Sequence, residues 1–157
     1  MAEDAHRHEK PSGKALVAAA KAVVLSAGEQ WTPMRESVFE ALSGFSKPAS
    51  AYDIAEVVSR EVGRRVPANS IYRILEIFVG NNVVQRVESA NGFIVNVHPE
   101  CRHDCILLIC DQCGAVVHVD DDQVARTIRS AAQAEEFDAQ RPVLEMRGLC
   151  RNCRTSH

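Results

Sequence analysis

Apolar residues recur every three to four positions from Ala15 to about Val79, then switch to every second position, the change expected where helices give way to strands. "ALVAAAKAVVLSAG" is rich in strong helix formers and ends on Gly28, which predicts a first helix. In "TPMRESVFEAL", Thr32 is placed to cap a second helix, Pro33 takes its first position, and Val38, Phe39 and Leu42 share one side. "SAYDIAEVVSREVG" opens on Ser50 with Asp53 three residues on, an approximate capping box, and should stop near Gly63. A fourth helix is predicted from about Ala68 to Val79, with Ile71, Ile74, Leu75 and Phe78 at helical spacing. "VVQRVE" and "FIVNV" then read as strands joined by "SANG", whose Asn91-Gly92 pair is a hairpin signal. Farther on, "ILLIC" and "AVVHV" read as strands, "DDQVARTIRSAAQAEE" as a helix with an acidic start suited to its dipole, and "PVLEMRG" as a last strand.

Short helices followed by a two-stranded hairpin are the order of a winged helix-turn-helix, with the helix over 68–79 as the reading helix and the hairpin as the wing. The fold class expected is therefore α+β. Residues 1–13 are expected to form a flexible tail, 14–97 a winged-helix domain, and 98–157 a hinge followed by a small α/β dimerisation unit. Asn69, Ser70, Tyr72 and Arg73 occupy the first turns of the reading helix, where groove-facing side chains belong. Arg can fork onto guanine or grip a phosphate, and Tyr can reach a phosphate or pack on a thymine methyl. Arg64 and Arg65 just before that helix, with Arg35 and Lys47, would flank the backbone. The plainer alternative is a small helical domain whose polar face meets only water.

Composition narrows this picture. The chain has 157 residues, 46% hydrophobic and 25% charged, ordinary for a globular protein of one domain or two small ones. No apolar run approaches the roughly 20 residues that span a bilayer, and the polar start lacks a signal-peptide core, so a cytoplasmic protein is expected. The net charge is −3, and residues 1–90 balance 11 basic against 11 acidic groups. A globally basic nucleic-acid binder is excluded; one with a local basic face is not.

All 6 cysteines fall after residue 100. In a cytoplasmic chain they favour metal ligation or redox chemistry over disulfides. Cys110-Asp-Gln-Cys113 and Cys150-Arg-Asn-Cys153 are two C-x-x-C turns, each presenting two sulfurs on one side of a tight loop. Together they make a closed four-thiolate site of the structural zinc type. The 36 residues between the pairs hold a whole helix and strand, so the metal would staple the ends of a sheet. Iron also accepts four thiolates, but zinc is commoner there. A thioredoxin-like pair would need a strand–CxxC–helix setting that this stretch lacks. The remaining thiols, Cys101 and Cys105, lie close in sequence to His98, His103 and His118. Imidazole plus thiolate is a zinc-favouring mixture, which suggests a second metal site, against the alternative of a buried thiol and solvated loop histidines.

These segments, "TPMRESVFEAL", "SAYDIAEVV", "SIYRILEIFVGNNVVQRVESANGF", "LLICDQCGAVV" and "GLCRNC", together resemble the ferric uptake regulator family, and its zinc uptake regulators most closely. The resemblance runs from about Ala15 to Cys153. Ser70-Ile71-Tyr72-Arg73 stand where the family's reading helix usually has Thr-Val-Tyr-Arg. The resemblance implies a homodimeric, metal-dependent repressor of double-stranded DNA with a palindromic operator. It also implies one structural zinc and one regulatory zinc per subunit, the latter at the hinge, and a regulon of zinc uptake and homeostasis genes. Two wing positions depart from the zinc branch: Gln85 replaces a histidine and Asn96 replaces a cysteine. The regulatory ligands are accordingly expected to be Cys101, His103, Cys105 and His118, with His98 in reserve. Such a site should weaken below about pH 6, where imidazoles protonate.

Three other readings stay open on sequence. The same architecture can sense iron, manganese or peroxide. A metal-independent interaction module could use zinc only as a staple. An enzyme with a zinc-activated water would need an open coordination position and a base; Glu100 and Asp104 are available, but no substrate motif accompanies them, and no enzyme is expected.

Overall fold

Local capping chemistry decides where the first helices begin. A computed structural model describes residues 12–99, 105–140 and 143–155 of the chain, without the side chain of Cys105. Helix α1 spans Gly13–Ser26, so it starts inside the stretch expected as a tail; residues 1–11 lie outside the described part. In α2 (Pro33–Ser43) the Thr32 hydroxyl accepts the Arg35 N–H at 3.2 Å. In α3 (Ala51–Val62) the capping box is complete: Ser50 accepts from the Asp53 N–H at 3.1 Å, and the Asp53 carboxylate accepts from the Ser50 N–H at 2.9 Å. Gly63 ends α3 at φ +71°, a left-handed position. Helix α4 runs Ala68–Gly80, one residue beyond the expected span.

The apolar stripes of α1–α4 meet in one core. Phe39, Phe78, Leu42, Ile54, Ile71 and Leu75 are its largest fully buried side chains. Trp31 stacks on Phe78 at 5.7 Å between centroids, and Phe39 meets both rings edge-on at 6.0 and 5.9 Å. Edge-to-face contacts of this kind add to simple area burial.

The wing follows, with β1 (Val84–Val87) antiparallel to β2 (Gly92–Val95). Its turn is a single 3-10 turn, Glu88–Ala90, and Asn91 takes the left-handed position at φ +46°. The Asn91-Gly92 signal therefore marks the hairpin, but the glycine answers a different need. A Cβ on Gly92 would lie 2.9 Å from Pro48 Cβ, where Ala49 pairs with Phe93 and adds a third segment to the wing.

The C-terminal unit is a three-stranded sheet ordered β4-β3-β5, with β3 at Cys105–Cys110, β4 at Val116–Val119 and β5 at Val143–Gly148. β4 is antiparallel to β3 and β5 is parallel to it. Helix α5 (Asp122–Ala134), capped by the Asp121 carboxylate on the N–H groups of Gln123 and Val124, makes the crossover. Register aligns His118, Leu107 and Glu145 across the sheet, then Val116, Ile109 and Arg147 in the next row of the same face. Leu107 and Ile109 pack with Val87 of the wing, joined by Ile94 and Val116, in a second small core that seats the wing on the sheet. The architecture is α+β, a winged helix-turn-helix followed by a small α/β unit. Among the described residues no helix is long and apolar enough to cross a membrane.

Candidate metal centre and nucleic-acid face

Parallel pairing is what gathers the four cysteines. Because β3 and β5 run the same way, their ends lie side by side, with Cys110 opposite Gly148. The turn after β3 is held by the Gly114 N–H on the Cys110 carbonyl at 3.0 Å, with Gly114 at φ +74°. The Asp111 N–H reaches the Gly148 carbonyl at 2.8 Å, so the first turn is pinned to β5 directly. Beyond β5, Cys150 leads into a single helical turn, α6 (Arg151–Arg154), which carries Cys153.

All four sulfurs lie within 4.8 Å of one another. Sulfurs bound to one zinc at about 2.3 Å stand roughly 3.8 Å apart along each tetrahedral edge. Cys113 Sγ and Cys150 Sγ are 3.8 Å apart, so the donors fit the ion. Cys110 and Cys153 are buried, and four thiolates would fill the coordination of a tetrahedral ion. The Cys110 thiol is lowered to about 6 by the backbone N–H groups of Cys113 and Cys150, the latter 3.4 Å from its sulfur. Cys150 is also lowered, chiefly by the backbone of Cys153. Cys153 is pushed up to about 12 by its hydrogen bond with Cys150 and by burial. The backbone thus prepares thiolates on one side, while the buried fourth sulfur becomes an anion readily only with a cation at the centre.

The second set of ligand types is described in part. Cys101 and His103 lie outside the described residues, and Cys105 is described only as the backbone that opens β3. His98, just after the wing, and His118, on β4, come together with ring centroids 6.1 Å apart. The Nε2 atom of His118 is shielded from solvent. Asn96 is buried and has a different task from ligation. Its amide group donates to the Asn82 carbonyl at 2.7 Å, and its oxygen accepts the His98 N–H at 3.0 Å, fixing where the histidine leaves the wing.

Asn69, Ser70, Tyr72 and Arg73 of α4 are exposed, as are Arg64 and Arg65 before it. Sequence reasoning missed Tyr52 at the start of α3. It is 71% exposed and stands edge-on to Tyr72 at 6.5 Å, and Tyr72 in turn meets Phe93 of the wing at 6.4 Å. The Arg86 guanidinium lies over the Phe93 ring, 5.8 Å from its centroid. The signal available was an aromatic left outside an otherwise regular apolar stripe.

Of the two other cations expected to flank that face, Arg35 is paired within the chain and Lys47 is exposed. The Arg35 guanidinium is largely buried at the α1–α2 corner, paired with Glu29 at 3.3 Å and donating to the Gln30 carbonyl. Lys47 lays its aliphatic stem along the turn at Gly114, where an added Cβ would lie 3.3 Å from it.

Comparison with known proteins agrees with this geometry. The sequence profile of the ferric uptake regulator family matches residues 26–147. The zinc uptake regulation protein of Escherichia coli (strain K12) is 28% identical over 146 residues, covering 92% of this chain and 85% of that one. The peroxide-responsive repressor PerR of Staphylococcus aureus (strain USA300) is 25% identical over 130 residues, covering 81% and 84%. Among solved structures, holo XcZur superimposes with a TM-score of 0.80 at 30% identity, over 91% of this chain and 99% of that chain. A zinc uptake regulator complexed with zinc and DNA gives 0.82 at 26% identity, over 90% and 94%. With its winged helix, its four-cysteine cluster and a profile match over most of its length, the chain belongs to the ferric uptake regulator family, whose members are metal-responsive transcriptional regulators.

Proposed function

We propose that this chain is a cytoplasmic, zinc-responsive repressor that binds a palindromic operator as a homodimer and controls zinc uptake and homeostasis genes. The observation that carries the reading is the meeting of His98, at the hinge directly after the wing, with His118 of the sheet, their ring centroids 6.1 Å apart. A metal held there bridges the parts whose relative position sets the spacing of two reading helices. Zinc bound better by the closed arrangement draws the population toward it, and a swing from 1:99 to 99:1 takes about 5.5 kcal/mol of differential binding. Cys101, His103 and Cys105 complete the proposed regulatory set, and the imidazole and thiolate donors favour zinc over iron(II) or manganese. Cys110, Cys113, Cys150 and Cys153 hold the structural zinc.

Likeness to a holo zinc regulator and to one bound to DNA supports the same assignment. A homodimer is supported by the apolar side chains that α5 and β5 expose in the single chain, Val124, Ile128, Val143 and Met146 among them. Operator contacts are assigned to Asn69, Ser70, Tyr72 and Arg73, with Tyr52 beside them and Arg64 and Arg65 on the phosphates. The domain limits proposed are 14–97 for the reading domain and 98–157 for hinge and dimerisation.

The test is binding to operator duplex as buffered free zinc is varied at fixed salt, with the four-cysteine zinc retained. Affinity should rise steeply with zinc and stay flat with iron(II) or manganese; equal binding at all zinc levels would sink the proposal. At saturating zinc, Arg73→Ala should cost about 1–3 kcal/mol of operator affinity, the worth of a bidentate base contact. An unchanged Kd in a competition titration would remove α4 from base reading.

A further inference from the structure

The wing is also gripped at the sheet edge away from His118. On β5, the Glu145 carboxylate accepts two backbone N–H groups from the wing's 3-10 turn, Glu88 at 2.7 Å and Ser89 at 2.9 Å. Two residues along the same face, the Arg147 guanidinium donates to the Ser89 carbonyl at 3.1 Å and to the Asp111 carboxylate at 2.7 Å. Asp111 lies inside the first C-x-x-C turn, so these contacts join the wing turn to the four-cysteine knuckle through one side chain. Burial alone would raise the Glu145 carboxyl, but the Ser89 and Glu88 hydrogen bonds and Arg147 outweigh it and hold it below its ordinary value.

We propose that Glu145 and Arg147 are wing-positioning residues, a metal-independent clasp that acts as the fulcrum on which the metal-bearing edge closes. The proposal rests on the reading of the chain as a zinc-responsive DNA binder. Three features support it. The clasp pairs groups 56 and 57 residues apart in sequence, so it fixes one unit against the other and stabilises no local turn of its own strand. Glu145 aligns with Leu107 and Arg147 with Ile109, the two side chains on which Val87 of the wing rests. The wing therefore lies across the sheet between an anchored edge at β5 and a histidine edge at β4. A bar held at one end needs only a small displacement at the other to change its angle. With the β5 edge released, metal bound at the β4 edge would no longer define the wing's orientation.

The experiment uses full-length dimer with the four-cysteine zinc in place. It compares wild type, Glu145→Gln and Arg147→Gln by amide hydrogen exchange. It also titrates zinc-dependent binding to a duplex that the wild-type protein selects from a random-sequence pool. In Glu145→Gln one acceptor oxygen becomes an NH2 group facing an N–H. Exchange at Glu88 and Ser89 should accelerate about tenfold, with zinc content and protection along β3 unchanged. Duplex affinity should fall about tenfold, and half-maximal binding should need more free zinc, because what loosens the closed state weakens both ligands. Arg147→Gln should move all of these readouts the same way by less. Unchanged exchange at both amides, with wild-type binding intact, would remove the clasp alone. Faster exchange with an unaltered zinc midpoint and affinity would reduce it to a contact without a positioning role. A wild-type chain that selects no duplex at any zinc level would sink the regulator reading and the positioning role together.

Discussion

Cys113→Ser protein should come off purification without its structural zinc and without an ordered C-terminal sheet, while the helical unit still unfolds cooperatively. The sheet has little else to hold it. Its buried apolar side chains on β3 are Ile106, Leu107 and Ile109, β4 is mostly half-buried, and much of β5 and α5 is exposed in the single chain. Parallel pairing of β3 with β5 has no hairpin to help it and must overcome the closure of a long crossover. A structural zinc on thiolates contributes on the order of 10–16 kcal/mol in small zinc domains, as much as a whole domain's usual net stability. Serine leaves three thiolates around the centre and a weak oxygen donor in place of the fourth. Zinc per chain by elemental analysis, beside the far-UV circular dichroism melt, reads the result directly. Full zinc content with a wild-type melt would mean that another residue closes the site.

The second large effect belongs to the core of the reading domain. Phe78→Ala should destabilise the helical unit by about 3–5 kcal/mol, the range for removing a fully buried aromatic side chain. Phe78 has no exposed surface, stacks on Trp31 at 5.7 Å and meets Phe39 edge-on at 5.9 Å, so truncation strips two rings of a partner at once. It also sits on α4, so the lost packing loosens the helix that presents Arg73. Trp31 is the only tryptophan, which makes its fluorescence a local reporter in a urea titration. A midpoint shift worth less than about 1 kcal/mol would show that the surrounding side chains refill the space.

What sequence made legible follows the range of the interactions. Thr32, Ser50 and Asp53 act within one helical turn, so their capping could be read from spacing alone. Apolar periodicity found Ile71, Leu75 and Phe78 because burial and helical period are the same signal on α4. The four cysteines were legible because zinc chemistry demands a spacing that chance rarely supplies. Non-local geometry was not. Nothing near Gly92 announces Pro48, and only the folded wing shows that the glycine is needed for a close approach. Arg35 carries the right charge for phosphate, yet Glu29 pairs with it across the α1–α2 corner, which spacing along the chain does not announce. Glu145 carries no local mark of its contacts, because the amides it accepts from lie 57 and 56 residues away. Asn96 lacks the donor strength of the residue it replaces in the resemblance, and the structure gives it the work of aiming the His98 backbone instead.

The parallel pairing of β3 with β5 has a kinetic consequence. Helices α1–α4 meet their neighbours across short loops, so their contacts are local and assemble quickly. β3 meets β5 only after the whole β4–α5 crossover has been threaded, Cys105 opposite Val143. The two halves therefore mature on separate clocks: a reading domain that organises early, and a sheet whose rate depends on chain closure and on the arrival of zinc. With zinc scarce, chains would be expected with formed helices α1–α4 beside an unfinished sheet. Under the proposed function, scarcity would then act on how much competent protein is assembled, as well as on how the assembled protein responds.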